Sequence, residues 1–247
     1  MEQLGLGNEG GKNLIYVSNF MGKFEVRVKP GTPNSVEREK KGGDKISVIN
    51  HQTLSGYIVD IQKDVSDKNG IKMVSLKIFL DVPKKEKTDH YCLTLPYNSN
   101  LTTAFFHMME NIDYSRPVQF SSKHGKDDKG KEKTSLFISQ MNGLSDDWTP
   151  LGWRYTKKWV EANPTAPKKP EWKQVEVKGE LVWDNTAEIR FFEAILKEQI
   201  IKPLREKKVT ASAVAAPSAE SLVEDDSWIP EQPAADEPKA PDEDLPF

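Results

Sequence analysis

A single cysteine, Cys92, among 247 residues excludes an internal disulfide and a cysteine-rich zinc site within this chain. Histidine is scarce too: His51, His90, His107 and His124 are scattered, and no His-Glu-x-x-His zinc helix is present. His107 falls on an expected helix and reads as a structural residue. The chain has no Gly-x-x-x-x-Gly-Lys-Ser/Thr phosphate loop and no Gly-x-Ser-x-Gly nucleophile elbow. Two acidic pairs, Asp127-Asp128 and Asp146-Asp147, could in principle hold a metal, but adjacent carboxylates are common on surfaces. No stretch approaches the roughly 20 apolar residues of a membrane helix. Residues 1–5, Met-Glu-Gln-Leu-Gly, lack the basic and apolar regions of a secretory leader. The expectation is a protein of a reducing cytoplasm that is not an enzyme, carries no cofactor or metal, and does not associate with membranes.

Charge is plentiful but unevenly placed. From residue 210 onward there are ten acidic residues against one basic, Lys239, together with six prolines and eight alanines. Such a segment buries too little apolar surface to offset the entropy of ordering it, so residues 210–247 are expected to be a disordered acidic tail. Taking it away from the chain's 35 basic and 38 acidic residues leaves 34 and 28, a body of about +6 joined to a tail of about −9. A basic body suggests a polyanionic ligand.

The tail ends in Asp242-Glu243-Asp244-Leu245-Pro246-Phe247, three carboxylates ahead of an apolar hook. Solubility alone would not require an aromatic there, so these six residues read as a recognition peptide. The ending resembles the acidic tip of bacterial and phage single-stranded DNA-binding proteins. That resemblance implies that Asp242, Glu243, Asp244, Leu245, Pro246 and Phe247 dock on replication, recombination and repair enzymes and compete with DNA for the protein's own groove. Trp228-Ile229-Pro230, after Glu224-Asp225-Asp226, is a weaker internal echo of it. The length and the Ala/Pro linker favour a viral version, acting in the cytoplasm of a bacterial host.

Along the body, residues 1–12 are Gly-rich and polar and are expected to be flexible. Residues 13–29 read as one half-buried strand, with Phe24, Val26 and Val28 on one face and Lys23, Glu25, Arg27 and Lys29 on the other. Short strands are expected at 46–49 and 56–63, then the Asn69-Gly70 turn and a returning strand at 71–82. Its face Val74, Leu76, Ile78 and Leu80 is apolar. A strand at 90–95 precedes a helix over 101–112, striped by Leu101, Phe105, Met108, Met109 and Ile112. Strands at 118–122 and 135–141 close the pattern around a charged loop at 123–133. Several strands, one helix and a closing hairpin are what a five-stranded OB-fold barrel requires, so residues 13–141 are expected to form one. Residues 142–209 are an extension holding five of the six tryptophans and a helix that starts near Asn185 and ends or kinks at Pro203.

The DNA-contacting candidates follow from faces and composition. Lys77 and Phe79 lie opposite the apolar face of their strand, with Lys23, Arg27 and Lys29 as backbone contacts and Phe137 as a stacking ring. Tyr57 shares a face with Val59 and Ile61 and is either a groove or a core residue. Lys123, Lys126, Lys129, Lys131 and Lys133 form a basic loop, either simply solvated or tracking phosphates. Trp153, Arg154, Tyr155 and Lys157 interleave aromatics and cations; they either stack on bases or anchor the extension to the barrel wall. The expected function is sequence-independent binding of single-stranded DNA, with the tip recruiting partner enzymes and homo-oligomers possible in principle. Two alternatives stay open: an adaptor whose barrel binds another protein, and a metal-dependent nucleic-acid-modifying enzyme.

Overall fold

The structure is a computed structural model that describes residues 14–40, 43–68, 70–128, 130–141, 147–177 and 180–206. The lysine at position 129 and the whole acidic tail, including the six residues of the tip, lie outside the described residues.

The chain is mainly β. Its strands are β1 (Leu14–Phe20), β2 (Lys23–Val28), β3 (Val36–Glu39), β4 (Lys45–His51), β5 (Thr53–Lys68), β6 (Ile71–Pro83) and β7 (Thr88–Pro96), then β8 (Val118–Lys126), β9 (Glu132–Met141) and β10 (Trp148–Pro150). They join in one mixed ten-stranded sheet in the order β10-β9-β8-β5-β6-β7-β1-β2-β4-β3. Helix α1 (Asn100–Met108) continues into a 3-10 turn, Met109–Asn111, and sits between β7 and β8. The short helix α2 (Lys157–Ala162), a separate hairpin of β11 (Lys173–Val177) and β12 (Glu180–Asp184), and helix α3 (Thr186–Ile195) follow.

The closed five-stranded barrel expected from the sequence is not what forms. The sheet is open, with β3 and β10 as its edges. The edge of β7 is taken by β1, running parallel to it from Leu14↔His90 to Ser18↔Thr94. The sheet nevertheless coils until the core faces of its two halves touch: the Asn19 amide donates to the Ser122 hydroxyl at 2.6 Å. Beside that contact, the turn linking β1 to β2 places Met21 at φ 46° and Gly22 at φ 76°. A Cβ on Gly22 would stand 2.7 Å from the His124 backbone nitrogen.

Alternating apolar residues explain the core. Ile61, Ile78, Leu93 and Val17 form one fully buried row across β5, β6, β7 and β1. Helix α1 starts at Ser99, whose hydroxyl accepts from the Thr102 amide. It buries Leu101, Phe105, Met108 and Met109 against this face, as the helical stripe in the sequence suggests. Helix α3 adds Phe192 and Ile195, with Phe106 stacked on Phe192 at 5.5 Å. Pro203 does not end this helix: a π-helical turn at Leu196–Ile201 leads into it, and the helical backbone runs on to Glu206. The wider turn carries the chain past a residue that cannot donate a backbone hydrogen bond.

Strand β5 exchanges neighbours along its length. Thr53 to Gly56 pair with β8, and Tyr57 to Lys68 pair with β6. At Gly56 the strand bends so closely against β6 that a Cβ would lie 2.9 Å from the Asp81 carbonyl oxygen. Gly22→Ala should cost about 1–3 kcal/mol through left-handed strain. Gly56→Ala should cost about 1–3 kcal/mol through overpacking. Both should appear as lower urea midpoints with an unchanged slope.

Candidate nucleic-acid interface

The outer face of the sheet, opposite α1, collects polar, cationic and aromatic side chains. A β-bulge between Ile58 and Asp60 sets it up. The extra residue lets Ile58 and Ile61 both point into the core, while Tyr57, opposite Asp81, turns outward and is 38 % exposed. Tyr57 is therefore a surface residue, and its apparent face-sharing with Ile61 was an effect of uninterrupted alternation. Phe79 lies half-buried on the same outer face, level with Asp60 on one side and Cys92 on the other.

The lysines on this face differ in whether they are compensated. Lys77 is held by Asp64 at 3.0 Å, so its charge is already neutralised. The expected loop at 123–133 is largely a regular ladder: β8 and β9 stay paired out to Lys126↔Glu132, and only a tight turn at its tip is irregular. Asp127 shapes this turn by accepting from the Lys131 amide at 2.9 Å. The ladder puts Lys123, Lys133 and Phe137 on one face, because Lys123 pairs with Ser135, Gly125 with Lys133 and Ser121 with Phe137. Phe137 is 42 % exposed, with the Lys123 ammonium 5.9 Å from its ring centroid. Lys126 points to the other face, opposite Glu132. Lys123, Lys126, Lys131 and Lys133 are exposed and make no ion pair among the described residues. Lys23 and Arg27 are exposed on β2, and Lys29 follows it in a turn where its carbonyl accepts from the Thr32 amide.

The aromatic–cation stretch of the extension goes elsewhere. Arg154 donates to the Glu110 carboxylate at 3.0 Å and to the Asn111 side-chain oxygen at 2.7 Å. Tyr155 is only 7 % exposed and donates its hydroxyl to Glu110 at 2.7 Å. Of the two readings of this stretch, anchoring describes Arg154 and Tyr155. Trp153 stacks on the His107 imidazole at 4.9 Å, leaving one side of its ring exposed, and Lys157 is exposed in the first turn of α2.

His107 is the pin of this region. Its Nδ1 donates to the Arg154 carbonyl at 2.7 Å, and its Nε2 lies 3.8 Å from the Glu188 carboxylate of α3. Glu188 is itself buried, bonded to the Lys169 ammonium and to the Trp172 indole N–H at 2.5 Å. Burial pushes the imidazole below its ordinary value; Lys169 acts in the same direction, while the Arg154 carbonyl and Glu188 oppose them.

A second titratable group of residues, Lys63, Tyr97 and Glu193, borders a cavity of about 300 Å³ between β5 and α3. Tyr97 and Lys63 both donate to Glu193 at 2.5 Å, and burial, followed by that carboxylate, pushes the phenol far above its usual range. The described residues contain no group of three or more His, Cys, Asp or Glu placed to hold a metal, and no helix among them is long and apolar enough to cross a membrane.

Tyr16 and Phe20, exposed aromatics of β1, were missed in the sequence. Tyr16 is 60 % exposed on the outer face of β1. Reading residues 13–29 as one strand put it on the face of Phe24 and Val26; Gly22 was the available signal for a turn, and splitting there moves Tyr16, Ser18 and Phe20 to the opposite face, with Lys23 and Glu25. Comparison of the chain with protein-family models, curated proteins and solved structures finds no match.

The depressed His107 value has a definite pH consequence. As pH falls below 6.5 the unfolded chain takes up this proton before the folded one does, so stability is full above that pH and is lost below it, down to the folded value. Urea unfolding at stepped pH should show this loss. His107→Gln should flatten it by at most one proton, about 1.4 kcal/mol per pH unit.

Proposed function

We propose that the protein binds single-stranded DNA without reading its sequence, using strands β5 to β9 and α1 as an OB-type unit. Their order in the sheet, β9-β8-β5-β6-β7 with the helix between β7 and β8, supports this reading. In OB folds the face of the second and third strands, with the loops after the first and fourth strands, takes oligonucleotides. The equivalents in this chain are β6 and β7, the β5–β6 turn and the β8–β9 arm. The observation that carries the proposal is on that arm: Lys123 and Lys133, both uncompensated, share one face with the exposed Phe137 ring. Phosphates settle on the lysines and bases stack on the ring, worth about 1–3 kcal/mol per base. Hairpins in the nucleic acid then melt because the protein captures the unpaired strand. The acidic tip recruits replication and recombination enzymes and competes for the same basic surface.

A second reading, an adaptor that binds another protein, draws on the β11–β12 hairpin. It stands apart from the main sheet and leaves Leu181 and Trp183 more than 60 % exposed. Titration of oligo-dT into the full chain, followed by tryptophan fluorescence and gel shift at several salt concentrations, separates the two. The DNA reading predicts saturable binding that weakens with salt. In Lys123→Ala/Lys133→Ala the slope of log affinity against log salt should fall by about 1.4, at about 0.7 per phosphate contact. Phe137→Ala should weaken binding about 5- to 150-fold with little change in slope. Neutralising Asp242, Glu243 and Asp244 to their amides should tighten it. No binding by any of these variants or by the wild type would leave the adaptor as the better account.

A further inference from the structure

We infer that β1, a strand outside the OB-type unit, supplies an additional base-stacking position at Tyr16, so that the track for single-stranded nucleic acid runs on from β7 onto the β1–β2 hairpin. The inference rests on the nucleic-acid reading above and extends it to a surface with no counterpart in that unit. Three ladders define the position. Phe79 of β6 pairs with Cys92 of β7, and Cys92 pairs in parallel with Tyr16 of β1, so the three side chains share the outer face. Two strand spacings separate Phe79 from Tyr16, about 10 Å. Cys92 between them is fully buried, whereas Tyr16 is 60 % exposed.

The charge around Tyr16 selects the ligand. Arg27 lies on the same face of the neighbouring strand, two residues on from Glu25, which pairs with Ser18. It is exposed and makes no ion pair among the described residues. Glu25, two residues before Arg27 on the same face, is buried and bound to Arg38 at 3.1 Å, so it does not cancel Arg27. On the Phe79 side of the track, Asp60 and Asp81 are bonded to Arg205 and His90 respectively. An exposed ring beside an uncompensated guanidinium suits a base and its phosphate, the pairing on which sequence-independent single-strand binding depends. A protein surface seeking an apolar partner would not need the cation.

The test uses the full chain and oligo-dT. Tyr16→Ala should weaken binding about 5- to 150-fold with an unchanged salt slope, and Tyr16→Phe, which keeps the ring, should bind as the wild type does. Arg27→Ala should lower the salt slope by about 0.7. Ultraviolet crosslinking of the unmodified protein to oligo-dT should attach the nucleotide to the peptide carrying Tyr16, a readout that needs no variant to fold. If the wild type binds oligo-dT but Tyr16→Ala binds equally well and no crosslink maps to β1, this inference fails while the reading of the β8–β9 arm stands. If the wild type does not bind at all, both fall together.

Discussion

Strand β5 is the piece on which the other elements depend. It serves β8 with its first residues and β6 with the rest, and the transfer occurs at Gly56, where the chain passes the Asp81 carbonyl too closely for any Cβ. Two residues later the bulge resets the alternation, so one strand supplies core side chains on both sides of the bend. Local twist increases at a bulge. The combined bend and twist turn the basic β8–β9 arm and the β6–β7 face into parts of one continuous outer surface. They also bring the β1–β2 turn round until Asn19 reaches Ser122.

Charge compensation then sorts that surface. A lysine already facing a carboxylate at 3.0 Å, as Lys77 does, gains little from a phosphate, because binding must first break an existing pair. Lys123 and Lys133 carry no such cost. The same accounting explains why the Trp153–Trp159 stretch, the densest aromatic–cation sequence in the chain, is mostly architecture. Glu110 takes Arg154 and Tyr155, and His107 takes Trp153, so the extension is fastened to α1 by contacts that a nucleic acid would have to displace.

Much of this was legible before folding. Strand β6 stands out because it buries one face, which enforces a strict period of two, and Lys77 and Phe79 were assigned to the correct face for that reason. In α1 the stripe facing the sheet was legible, while Phe106 and His107, buried by Phe192 and Trp153 of the extension, carry no such signal. The β1–β2 hairpin was not legible, since Tyr16, Phe20, Phe24, Val26 and Val28 all fall on even positions and read as one alternation, whereas the turn at Met21-Gly22 changes the phase and puts Val17 on the buried face with Phe24 and Val26. Tyr57 was ambiguous because a bulge leaves no mark in composition. The lysine-rich segment looked like a loop because charged strands that extend beyond the body of a sheet have no apolar face to reveal them.

Composition and periodicity alone determined the mainly β class, the helix between strand groups, the basic body and the acidic tail, because each depends on averages over many residues. Which cations stay uncompensated and which aromatics stay exposed was decided only in the tertiary structure. Those properties depend on single neighbours far apart in the chain, such as Glu110 for Arg154, Asp64 for Lys77 and Cys92 for Tyr16. The openness of the sheet was decided the same way: β1 competes for the edge of β7, and no local pattern in either strand records the outcome.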